Sequence, residues 1–264
     1  MEKHLIQPNL TGFPPEILPY FKNTEIYDSS SSERARVYYC DRGYFVKIAP
    51  KGTLEKEANM SRLFFENGLG VEVLEYLSTD RDYLVTAAAQ GQDLLHYLHA
   101  PEKVSEVLAD CLRELHSKAV NHVPLSAAYT HYMEAAAASP EDGYGHKWVL
   151  MDRYPIASTE EAWSIMQDYK DQLKADTLIH GDACLPNVIL QDWHFSAFID
   201  FDQAGLGDRH MDLYWALWSL RYNLKTEAYA DRFLDRYGRE NFDPKLLHAV
   251  AAFEFFGHKH KKSD

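Results

Sequence analysis

Apolar positions recur along the chain in two rhythms, and the change from one to the other divides it. In "ARVYYCDRGYFVKIA", residues 37–40 and 44–48 are rich in β-branched and aromatic side chains and flank the turn residues Asp41, Arg42 and Gly43, which predicts a hairpin. In "TLEKEANMSRLFFENG", Leu54, Ala58, Leu63 and Phe64 fall near helical spacing and the run stops at Gly68, so a helix is predicted with Thr53 as its N-cap. "VEVLEYLSTDRDYLVTAA" then predicts two further strands about a turn at residues 78–82, and the β-rich part ends near Ala89. Beyond "QGQD" the rhythm turns helical, over residues 94–99 and again over 104–116. Residues 139–154 read as a loop, 159–173 as a helix, 178–201 as strand, irregular loop and hairpin, and 211–220 as a helix. The closing "GHKHKKSD" is expected to be a solvated basic tail. The expected fold class is α+β: an antiparallel sheet with one helix, then a larger, mainly helical part, the two sharing a cleft.

Composition narrows the possibilities. With 264 residues, 46% of them hydrophobic and 13% aromatic, a substantial core is expected. Apolar stretches such as Ala135 to Ala138 are far short of the roughly 20 residues of a membrane span, and "MEKHLIQPNLTGFPPEI" lacks a signal-peptide pattern. A cytoplasmic location and no membrane partner are therefore expected. Cys40, Cys111 and Cys184 are an odd number without metal-ligand spacing, which suits reduced thiols. A formal net charge of -13 repels nucleic acid and favours a cationic small molecule; acidic balance also serves solubility alone. The chain is expected to be a monomer or weak dimer.

The densest chemistry lies in "HGDACLPN", where Asp182 precedes Asn187 by five positions, as in the protein-kinase catalytic loop H-R-D-x-x-x-x-N. Thirteen residues on, Asp200 follows "FSAFI". Phosphoryl transfer needs metal ions against the β and γ phosphates and a carboxylate at the incoming hydroxyl. Asn187 and Asp200 are the expected magnesium ligands, as hard oxygen donors, and Asp182 the catalytic carboxylate. The competing reading makes Asp182 and Asn187 turn residues around Pro186 and Asp200 a cap; the ordered set of three favours chemistry. His180 is expected to anchor the loop through a backbone hydrogen bond.

Upstream, "YFVKIA" presents Lys47 as a strand lysine able to reach nucleotide phosphates, with Glu57, or failing that Glu55, as its carboxylate partner. No glycine-rich loop precedes the hairpin. Its place is taken by "YDSSSSERARVYY", in which Ser32 is expected near the phosphates, unless the serines form a polar linker. The backbone of Ala89, in "LVTAAAQGQD", is expected beside the adenine of ATP.

"HGDACLPNVIL", "FSAFIDFDQAGLGDRHMDLYWAL" and "YADRFLDRYG" are similar to the corresponding stretches of aminoglycoside 3′-phosphotransferases, densely over residues 178–237 and more weakly through "GQDLL", "LRELHS", Lys47 and Glu57. The resemblance implies a protein-kinase-like fold, ATP and Mg2+ as cofactors, and transfer of the γ-phosphate to an aminoglycoside hydroxyl, with resistance as the outcome. It implies Asp182 as catalytic residue, Asn187 and Asp200 as metal ligands, and nucleotide contacts near Ser32, Lys47 and Ala89. Residues 1–89 would then be a nucleotide-binding lobe, and residues 90–264 a catalytic and acceptor-binding lobe. The acceptor side departs from the pattern. Asp202 and Gln203 stand where a glycine and an arginine are usual, Trp218 stands for another arginine, and of a terminal acidic pair Glu254 remains beside Phe253. Glu254, matching a substrate carboxylate, and Glu141 and Asp142 in the loop are expected to meet ammonium groups of the acceptor. These departures keep open a kinase of another small hydroxyl compound, such as an amino alcohol, a sugar amine or a macrolide. The third reading is a catalytically silent nucleotide-binding regulator.

Overall fold

The computed structural model describes residues 4–31, 35–119 and 121–257. Ser32 and the basic tail from residue 258 lie outside the described residues. The chain divides into two compact units, Met1–Gly91 with Ser196–Asp202, and Gln92–Phe195 with Gln203–Asp264. Residues 196–202, expected with the helical part, thus group with the sheet.

The first unit is built on an antiparallel sheet in the order β1 (His4–Ile6), β2 (Ile26–Asp28), β3 (Arg36–Cys40), β4 (Tyr44–Pro50), β6 (Arg81–Ala87), β5 (Val73–Ser78). The hairpin expected at residues 37–48 is β3–β4, with Cys40 opposite Tyr44. Alternation along β4 decides what each face carries. Val46 and Ile48 enter a core with Ile17, Phe21, Tyr83 and Val85. Ala49 joins Leu54, Ala58 and Leu84 in a second cluster, beside the helix α1 (Glu55–Glu66). Lys47 lies on the same face of β4 as Ala49. Thr53 does not cap α1: its hydroxyl donates to the Pro50 carbonyl at 2.7 Å, and the Leu54 N–H is taken instead by the buried Asp82 carboxylate at 2.8 Å. A cap supplied from another strand leaves no local pattern to read.

In the second unit, β7 (Gln92–Asp93) pairs with β9 (Val188–Gln191), and β8 (Thr177–Ile179) with β11 (Gly205–Gly207). Strand β10 (His194–Phe198) carries the chain from this unit into the first. The helices are α2 (Pro101–His116), α3 (Ala127–Ala137), α4 (Thr159–Tyr169), α5 (Arg209–Leu224), α6 (Ala230–Tyr237) and α7 (Pro244–Phe256). The helix expected at residues 94–99 is a single 3₁₀ turn, Leu94–Tyr97, started by the Asp93 carboxylate. The expected loop at 139–154 contains the 3₁₀ turns Pro140–Asp142 and Lys147–Val149. Helix α5 is buried nearly all round, through Met211, Leu213, Tyr214, Ala216, Leu217 and Leu220, and forms the centre of this unit. Cys40, Cys111 and Cys184 are buried and free. Among the described residues no helix is long and apolar enough to cross a membrane.

Candidate active site

Asp182 and Asn187 are brought together by the irregular segment between β8 and β9. Asn187 Nδ2 donates to the Asp182 carbonyl at 2.9 Å and to its carboxylate Oδ2 at 3.0 Å. Both partners are oxygens that only accept, so the amide nitrogen must face them and Oδ1 turns away. Asp182 stays partly exposed while Asn187 is buried, so the carboxylate is reachable yet aimed.

Helix α5 holds this loop in place. The fully buried Asp212 carboxylate accepts the His180 N–H at 2.8 Å, the Gly181 N–H at 2.7 Å and a contact from His116 Nε2 at 3.1 Å. Two helical turns on, Ser219 Oγ accepts the Leu185 N–H at 3.0 Å. Gly181 has φ +80°, and a Cβ there would lie 2.4 Å from the Gln203 carbonyl oxygen, so only glycine fits. His180 anchors the loop through its backbone N–H, and its Nδ1 accepts from the Asp182 N–H at 3.3 Å. Asp212 was missed by the sequence reading. The signal was a lone acid inside the apolar run "MDLYWAL".

A second constellation lies within the first unit. Lys47 Nζ binds both Glu57 oxygens at 2.8 Å and Asp200 Oδ1 at 3.1 Å. Glu57, not Glu55, faces the lysine, because it shares the buried stripe of α1 with Ala58, Met60, Ser61 and Phe64. Asp200 is positioned by its neighbours: the Phe198 N–H donates to the Leu69 carbonyl at 2.8 Å, and Phe198 and Phe201 both pack on Phe64, the second with centroids 4.2 Å apart. Asp200 itself has φ +67°, a left-handed backbone held by these contacts. Burial disfavours the Lys47 charge, but Asp200 and Glu57 together hold its ammonium above the ordinary range.

Within the second unit, Glu254 of α7 lines a pocket of about 250 Å3 with Tyr132, Trp148, Trp215, His131 and His146. Its Oε1 accepts from the Tyr132 hydroxyl and from Trp215 Nε1, the latter at 3.0 Å. Burial pushes the Glu254 carboxyl up to about 7, against those two hydrogen bonds, and the nearby Asp182 charge adds to the rise. The loop that carries Asp182 meets a residue of this pocket at Cys184, whose Sγ donates to the Trp215 carbonyl at 4.0 Å. Glu141 and Asp142 do not line it. Asp142 caps its own 3₁₀ turn by accepting the Ser139 N–H at 3.1 Å, and Glu141 is exposed. Ala89 follows β6, half-buried, and the adjacent Ala88 N–H donates to Gly43 at 2.9 Å.

Among the described residues no group of three or more His, Cys, Asp or Glu is placed to hold a metal. Within the second unit, Asn187 has both its hydrogen bonds on nitrogen, which leaves Oδ1 as an open acceptor. Within the first unit, Asp200 carries a half-exposed carboxylate. Each is a hard oxygen donor of the kind magnesium takes.

The architecture is the protein-kinase-like one of solved aminoglycoside phosphotransferases. The chain superposes on the enzyme APH(3'')-Id from Streptomyces rimosus with a TM-score of 0.68 at 20% identity, covering 89% of this chain and 93% of the other. On an aminoglycoside-3'-phosphotransferase of type VIII the TM-score is 0.63 at 23% identity, covering 88% and 93%. Residues 24–251 match the phosphotransferase enzyme family, and the chain belongs to it. It is 40% identical to a probable aminoglycoside 3'-phosphotransferase of Lactococcus lactis over 94% of this chain and 97% of that protein. It is 27% identical to an aminoglycoside 3'-phosphotransferase of Niallia circulans, over 93% and 98%.

Proposed function

We propose that the protein is an aminoglycoside kinase, transferring the γ-phosphate of ATP to the 3′-hydroxyl of the drug and so conferring resistance in the cytoplasm. The observation that carries this reading is the Asp182–Asn187 pair, a reachable carboxylate aimed by a buried amide, in a chain 40% identical over nearly its whole length to a protein bearing that name.

Asp182 accepts the proton of the acceptor hydroxyl as its oxygen attacks phosphorus, and the Asn187 amide keeps the carboxylate turned to that task. Lys47 binds nucleotide phosphates, and Glu57 holds its ammonium in place. The Ala89 backbone meets the adenine, and Ser32 the phosphates. Asn187 and Asp200 would hold magnesium, whose charge neutralises the β and γ phosphates. Glu254 takes an ammonium group of the drug in the pocket it lines. The exposed Glu141 adds to the cationic attraction, while Asp142 is tied to its own turn.

The test is turnover by the purified protein with ATP, magnesium and kanamycin, set against a 3′-deoxy aminoglycoside. ADP release with the first and none above background with the second is expected. Equal release with both acceptors would move the phosphorylated position elsewhere.

A further inference from the structure

The pocket at Glu254 is walled mostly by rings, among them Tyr132, Trp148, Trp215 and Phe253. Trp148 and Trp215 have centroids 6.2 Å apart, and Trp218 closes edge-on against both, at 5.5 and 5.3 Å. Tyr222 then stacks on Trp218 at 4.9 Å with an interplanar angle of 13°. Trp215, Trp218 and Tyr222 are one or two turns apart on α5, so they share a face, and Trp148 reaches them from the 3₁₀ turn Lys147–Val149. Two of the three indole nitrogens are already engaged. Trp215 Nε1 donates to Glu254 and Trp218 Nε1 to the Trp148 carbonyl at 3.1 Å, which leaves ring faces as the surface on offer.

Two features make this arrangement more than packing. Trp148 is 59% exposed and Tyr222 52%, although burial of such rings is among the largest stabilising contributions a side chain can make. The last ring also carries a cation, for Lys225 Nζ sits 4.3 Å from the Tyr222 centroid. Charge complementarity points the same way. Glu254 is the one carboxylate among the described residues lining the pocket, and only its Oε1 is engaged in the hydrogen bonds from Tyr132 and Trp215.

We propose that this pocket is an aromatic seat for a single ammonium group of the acceptor: Glu254, Tyr132 and Trp215 hold the charge, and Trp148, braced edge-on by Trp218, stacks on the aminosugar ring that bears it. The inference rests on the acceptor reading given above and refines it. Recognition through ring faces and one charge distinguishes an aminosugar from a neutral sugar and gains little from further ammonium groups.

Binding of kanamycin, followed by indole fluorescence without nucleotide, tests this apart from catalysis. Trp148→Ala should weaken kanamycin binding about tenfold and raise its KM in parallel, with the ATP KM unchanged, and Trp148→Phe should recover most of the loss. Glu254→Gln should also weaken binding and reduce its dependence on salt between about 0.05 and about 0.5 M, whereas Trp148→Ala should keep that dependence. Unchanged kanamycin affinity in Trp148→Ala overturns the aromatic seat, even if the wild type phosphorylates the drug. Conversely, tight binding that Trp148→Ala abolishes, with no phosphorylation by the wild type, leaves the seat standing and contradicts the kinase reading. Wild-type protein that does not bind kanamycin contradicts both.

Discussion

The proposed reaction asks Asp182 to be open to a hydroxyl yet constant in direction, and the Asn187 amide satisfies both demands at once. Asp182→Ala should lower kcat by about 100-fold or more while ATP affinity stays near that of the wild type, measured by steady-state kinetics beside nucleotide titration. Lys47→Met acts differently. It leaves Glu57 and Asp200 facing each other without the ammonium between them, so the ATP KM should rise about tenfold or more and the melting temperature should fall. An ATP KM that did not move would take Lys47 out of the nucleotide site. These residues were legible because each sits at a spacing that chemistry constrains: Asp182 to Asn187 across one loop, Lys47 on a strand, Glu57 on a helical stripe. Tyr132, Trp148, Trp215 and Glu254 come from four segments far apart in the chain. Of that pocket the sequence offered only Glu254 and its neighbour Phe253, and those through a resemblance.

Among the elements, α5 is the scaffold on which the loop is hung. Asp212 accepts two loop N–H groups, so Asp212→Asn puts a donor where an acceptor is needed; the loss is about 1 to 3 kcal/mol. For a chain of this size that is a fall in melting temperature of about 2 to 4 °C per kcal/mol, read by calorimetry, together with a lower kcat. Gly181→Ala meets both an unfavourable φ and the Gln203 carbonyl, and should cost about 1 to 3 kcal/mol as well. Full stability in that variant would mean the loop has another way to pass Gln203. The hairpin β3–β4 and helices α1 and α2 were readable because one face of each is buried and the other is not. Helix α7, "PKLLHAVAAFEFF", is apolar on nearly every side and α3 is rich in alanine, so neither has a two-faced rhythm. The alternation of β4 carried more than its hairpin: it put Lys47 on the α1 face, opposite Val46 and Ile48.

Taken as a whole, the molecule is an acidic protein with one acid, Glu254, lining the pocket proposed for the acceptor, and this couples stability, pH and ligand. Burial raises Glu254 from its ordinary 4.5 to about 7, so the folded protein retains a proton that the unfolded chain gives up. The resulting stabilisation is complete below about 4.5 and is lost as pH rises through about 7. Calorimetry should therefore show a smaller decrease in melting temperature between pH 6 and pH 8 for Glu254→Gln than for the wild type. Kanamycin should reduce the wild-type decrease, because its ammonium favours the ionised carboxylate. Identical pH profiles for the two proteins would mean that Glu254 is already ionised when folded. The central claim, that this chain phosphorylates the 3′-hydroxyl of an aminoglycoside, is tested most directly by locating the phosphate. Kanamycin incubated with the protein, ATP and magnesium should yield a single monophosphate, with phosphorus–proton coupling in the NMR spectrum assigning it to the 3′ oxygen and one ADP released per drug. A phosphate on any other oxygen, or ADP formed without phosphorylated drug, would contradict the account.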